Sequence, residues 1–101
     1  MIEAAEQALA FVAGRSRADL DSDLMLRMAL TRAVEIVGEA AAQVSEAGRQ
    51  EVPEVRWPAI VGMRNRLVHA YFSINANILW DTVQWDLPLL VKQLKDALNK
   101  A

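Results

Sequence analysis

Between residues 22 and 47 apolar side chains recur at every third or fourth position: Leu26, Leu30, Ala33, Val37, Ala41 and Val44. A stripe of that length and period requires a long helix with one face laid against other elements. The spacing predicts a helix over about 22–47, with Ser16, Asp19 and Asp21 in the polar connector 15–23 as its candidate caps. Gly38 lies in the interior of this helix, where glycine costs roughly 1 kcal/mol relative to alanine. With Ala40, Ala41 and Ala42 beside it, Gly38 marks a place where a second helix comes close.

A second stripe, Leu79, Val83, Leu87, Leu90, Leu94 and Leu98, keeps one face through Pro88. Asn75 and Asn77 are suitable caps for the helix it defines, and Pro88 should kink or split that helix near Asp86. At the other end, Ile2, Ala5, Leu9 and Val12 predict a first helix over 2–13 that stops at Gly14. Gly48–Trp57 contains Gly48 and Pro53, shows no sustained period and reads as a loop. Pro58 then suits the first turn of a third helix, with Ile60, Met63, Leu67 and Val68 as its apolar side. With no β-alternating segment in view, the expected architecture is an all-α, up-and-down bundle of four or five helices, one domain over residues 1–101.

For a core this small, a hydrophobic content of 53% in 101 residues is a surplus that burial against a second copy would relieve, so a homodimer is expected. The N-terminus lacks the basic start and apolar run of a secretory signal, and no stretch nears the roughly 20 apolar residues of a membrane span. A cytoplasmic protein with no membrane association is the expectation. The chain has no cysteine and one histidine, which removes thiol chemistry and leaves no metal-ligand set, so neither a metal nor another cofactor is expected. The net charge of −2 opposes broad adhesion to nucleic acid. Any RNA site must therefore use the local arginines Arg49, Arg56, Arg64 and Arg66, since the lysines stand only at 92, 95 and 100.

Two of those arginines flank the single histidine in the segment Arg64-Asn65-Arg66-Leu67-Val68-His69-Ala70-Tyr71. An imidazole titrates near neutrality and can carry a proton. A guanidinium can grip a phosphodiester and stabilise the charge that builds as its phosphorus is attacked. In RNA the 2′-hydroxyl is itself the nucleophile, so proton transfer and charge stabilisation suffice. The same residues also fit blander roles: a lone histidine on an apolar helix is commonly a hydrogen-bonded packing residue, and arginines are commonly solvated surface. Tyr71 reads equally as a core aromatic or as a modifiable hydroxyl. Trp57, Trp80 and Trp85 are candidates for base stacking, although packing within the bundle or at an interface suits their spacing better.

On an ideal helix, Asn65 and Arg66 share a face with His69. Arg64 and His69, five apart, are separated by about 140°, whereas Arg64 and Tyr71 nearly coincide. A straight helix therefore does not aim Arg64 and His69 at one atom. Either the helix ends or distorts near His69, or a two-fold related chain completes the site, and the second solution is favoured with the first contributing.

The order Arg64, four residues, His69, one residue, Tyr71 resembles the Arg-X4-His-X-Tyr signature of HEPN toxins. The surrounding segments Arg32–Ala40, Trp57–Asn65 and Ile78–Trp80 are similar to the bacterial subfamily encoded beside a minimal nucleotidyltransferase, and the resemblance covers roughly 20–95. It implies a dimerising helical bundle, a cleft lined by both copies of the motif and metal-independent endoribonuclease activity, with Arg64 and His69 as the catalytic pair. It further implies Asn65 and Arg66 as supporting polar residues and Tyr71 as the hydroxyl to which the cognate nucleotidyltransferase antitoxin attaches AMP. The alternatives are a non-catalytic helical partner of a nucleotidyltransferase, with Tyr71 as acceptor and His69 structural, and a dimeric scaffold that keeps the motif for packing.

Overall fold

The computed structural model describes the backbone of residues 1–63, 65, 68–70 and 73–100, and the side chains of all of these except 68–70, 73, 74 and 100. It is an all-α bundle with one short antiparallel pair of strands. Helix α1 is Ile2–Val12. It stops at Gly14, whose φ of +73° is the left-handed conformation that glycine adopts without penalty.

Connector 15–23 holds a single helical turn, α2 (Asp19–Ser22). The cap of the following helix is Asp23 rather than one of the three residues expected, its carboxylate accepting the Leu26 N–H at 3.0 Å. Arg15 donates to the same carboxylate at 2.7 Å and to Asp19 at 3.3 Å. Asp19 also accepts the Ser16 N–H at 2.7 Å.

Helix α3 (Leu24–Ala42) is the long central element and ends earlier than the apolar period suggests. The chain turns at 43–45, where Ser45 takes the Gly48 N–H at 3.0 Å and starts α4 (Glu46–Glu51), a separate helix that runs from the expected end of the long one into the stretch expected to be a loop. A serine cap satisfies a backbone donor that continuing α3 would have satisfied with a carbonyl, so the break costs little. Helix α5 (Trp57–Val61) follows, with Pro58 in its first turn.

At the far end Asn75 caps α6 (Ala76–Asp81) by accepting the Ile78 N–H at 3.0 Å. Asn77 serves instead as acceptor for Arg17 Nε at 2.7 Å, tying α2 to the start of α6. The disturbance expected from Pro88 is a π-helical turn over Thr82–Asp86 that leads into α7 (Leu87–Lys100). Pro88 has no N–H for the Gln84 carbonyl and its ring crowds that carbonyl. The ladder widens there, and the Leu87 N–H reaches back five residues to Thr82.

The core lies where α1, α3 and the α6–α7 run meet. Ala5 and Ala8, then Leu30, Val34 and Val37, then Leu79, Val83, Leu87 and Leu90 are all almost wholly buried. The second stripe stays inside as far as Leu94, which is partly buried, and emerges at the exposed Leu98. Among the described residues, no helix is long and apolar enough to cross a membrane.

Candidate functional site

The segment with the histidine is delivered by α5, and α5 is fixed from two sides. From α3, Gly38 presents bare backbone: a Cβ there would stand 3.4 Å from the carbonyl oxygens of both Ile60 and Val61. This is the close approach implied by the glycine and its alanine neighbours. From α4 and its loop, the indole N–H of Trp57 donates to the carbonyls of Arg49 and Val52, each at 3.2 Å. The Arg49 guanidinium lies 5.8 Å from the indole ring centroid and donates to the Ala41 carbonyl at 3.2 Å near the end of α3. Trp57 is thereby a buried clamp, in keeping with the packing role its spacing suggested.

Past α5 the chain is held by Met63, which is 1% exposed, while Asn65 faces solvent. Both have helical backbone, and two residues at about 100° each put them on opposite sides of a helix. Asn65 is thus on the open face.

Here the structure corrects the expectation of one helix running through Tyr71. Val68–Ala70 is a strand, β1, paired antiparallel with β2, Ser73–Ile74. Val68 is opposite Ile74 and Ala70 opposite Ser73, with the register broken between Val68 and Ala70, at His69. The physical reason is compositional: Val68, Tyr71, Phe72 and Ile74 are β-branched or aromatic residues that favour a pleated backbone, and the run is too short to carry a clear period of either kind. Angular relations extrapolated along a helix therefore do not connect Asn65 or Arg66 to His69. The first of the two anticipated solutions, a helix that ends before the histidine, is the one seen in the single chain. Arg64, Arg66 and Tyr71 lie outside the described residues, and His69 is described in its backbone alone.

The all-α bundle is the HEPN-like fold. A family model described as Ribonuclease HepT-like matches residues 1–97, and the chain belongs to that family. It is 39% identical over 89 residues to a protein of Caldanaerobacter subterraneus subsp. tengcongensis named "Putative RNase", covering 88% of this chain and 80% of that one. A protein of Methanocaldococcus jannaschii with the same description is 34% identical over 95 residues, 94% of this chain and 87% of its own. A "Probable ribonuclease HepT" of Thermococcus cleftensis is 38% identical over 72 residues, covering 71% and 66% respectively. No solved structure matches the chain.

Proposed function

We propose that the protein is a metal-independent endoribonuclease and the toxin of a toxin–antitoxin pair. The observation that carries this reading is the match to a ribonuclease family across residues 1–97, the span that contains the chain's one histidine. In the proposed reaction the 2′-hydroxyl of a ribose attacks the adjacent phosphorus and passes its proton to His69. The O2′–P bond forms, the P–O5′ bond breaks, and the leaving 5′-oxygen takes up a proton. Arg64 neutralises the charge that accumulates on the phosphorane oxygens, and Asn65 and Arg66 hold the neighbouring phosphate and sugar.

In an in-line displacement the attacking and leaving oxygens stand on opposite sides of the phosphorus, so one imidazole cannot serve both and a two-fold mate would supply the second His69. The exposed apolar side chains Leu24, Met25 and Met28 at the start of α3 support a homodimer; spaced three and four apart, they form one face that water covers poorly. AMP attached to Tyr71 by a cognate nucleotidyltransferase would place negative charge and bulk beside the phosphate site and silence it. The test is incubation of the purified protein with RNA in EDTA beside a His69→Ala control. Cleavage by the native chain alone, leaving 2′,3′-cyclic phosphate ends, is expected. Equal cleavage by both proteins, or none by either, removes the assignment.

A further inference from the structure

Of the three tryptophans, Trp57 is buried and Trp80 partly so, but Trp85 is 74% exposed. It sits in the π-helical turn Thr82–Asp86, one turn ahead of the exposed Leu89. Leu89 in turn lines a groove of about 450 Å3 that also presents Glu54, Arg56, Met63, Asp86 and Gln93. Met63, at the floor, immediately precedes Arg64 in sequence.

Arg15, Arg17, Arg32, Lys92 and Lys95 are each ion-paired. Arg56, Glu54 and Asp86 share one groove, and none of them makes an ion pair among the described residues. The Gln93 amide, donating to the Glu54 carbonyl at 3.1 Å, closes one side.

We propose that this groove receives one unpaired nucleobase of the RNA, read at its edge by Arg56, Asp86 and Gln93 and stacked on Trp85, which stands outside the lining one helical turn from Leu89; this rests on the nuclease reading above. Two carboxylates repel a phosphate, which excludes the sugar–phosphate backbone as the occupant. A base edge offers donors and acceptors together: carboxylates take hydrogen bonds from exocyclic amino groups, and a guanidinium gives them to guanine O6 and N7. Sequence-selective readers of RNA take up single-stranded bases in this way, by stacking on an aromatic face and hydrogen bonding at the edge. Met63 lines the groove and is next in sequence to Arg64, so a base held here would help set where the chain is cut.

The experiment measures binding of short single-stranded 2′-O-methyl RNAs, which cannot be cleaved, to the full chain by fluorescence anisotropy, over a panel differing in one base. Loss of the stacking face in Trp85→Ala is expected to weaken binding roughly tenfold, with Trp85→Phe close to native, while Arg56→Gln and Asp86→Asn change the ranking of bases. Identical affinities and rankings in all variants overturn the proposal even where native protein cleaves RNA. Conversely, Trp85-dependent binding by a protein that cleaves nothing supports the groove and removes the nuclease. Sedimentation of Trp85→Ala adds a further outcome: conversion of a dimer to monomers identifies the occupant as a second copy of the chain and also overturns the proposal.

Discussion

Gly38 of α3 and Ile60 of α5 meet backbone to backbone, the carbonyl oxygen of Ile60 standing 3.4 Å from where a Cβ on Gly38 would lie. A methyl group fits at that distance and removes the glycine penalty in the helix, so the two effects of Gly38→Ala oppose each other. Its stability is expected within about 1 kcal/mol of native. Gly38→Leu has no such room and must displace α5, at a cost of about 1–3 kcal/mol. Urea denaturation of both variants checks the contrast, and an equally stable Gly38→Leu would show that α5 is not held by this contact.

Trp57→Phe keeps the buried ring and removes the donor that serves the Arg49 and Val52 carbonyls. Two carbonyls lose a partner at once, and a loss of about 1–2 kcal/mol is expected from chemical denaturation. A change well below that range would mean that water replaces the indole N–H and that the loop before α5 needs no clamp.

The Asp19 and Asp23 carboxyls are both held below their ordinary value of 3.8, Asp19 chiefly by the Ser16 N–H and Asp23 chiefly by the Arg15 guanidinium and then the Leu26 N–H. Groups depressed in the folded state stabilise it fully above the unfolded pKa, and that stability is lost as the pH falls below about 4 through the folded values. Asp23→Asn keeps an oxygen for the Leu26 N–H but cannot titrate. Melting temperature against pH should therefore fall less steeply for this variant than for native protein in the acid range, and the difference should shrink in high salt because the pair is more than a third exposed.

Changing Met25 and Met28 together to glutamate places like charges on the apolar face of α3. If this face closes the homodimer, analytical ultracentrifugation will show monomers and RNA cleavage will fall with them. A dimer that survives both changes must use another surface.

Co-expression with a cognate nucleotidyltransferase should add the mass of AMP to the native chain and leave Tyr71→Phe unmodified. The modified protein should lose RNA cleavage in proportion to its occupancy. Modification of Tyr71→Phe would move the acceptor elsewhere.

Most of the bundle was legible because helix-period burial is a long-range signal that survives local exceptions. The stripes through Leu30 and Val83, the cap at Asn75, the stop at Gly14 and the disturbance before Pro88 all follow from it. What escaped were local contests between nearly equal options. Ser45 interrupts a helix whose apolar period continues to Val44, and Asp23 displaces three plausible caps because Arg15 reaches it. Around His69 a brief β-prone run, Val68 to Ile74, overrides an extrapolated helix. The sequence could name candidate residue types for the site but not their mutual geometry, since that depends on where the helix stops. Trp85 was noticed only as one of three tryptophans; nothing in its spacing distinguishes an exposed indole in a π turn from a buried one.

The π turn at Thr82–Asp86 amounts to one residue inserted into an otherwise regular helix, and the widened turn absorbs it so that the side chains on either side keep their facing. Deleting a single residue there would close the turn into a regular α-helix and leave Leu87 and Leu90 facing the core. Related chains can accordingly lack one residue between Thr82 and Asp86 without rebuilding the core, so a one-residue alignment gap at this point would signal a lost π turn and nothing larger.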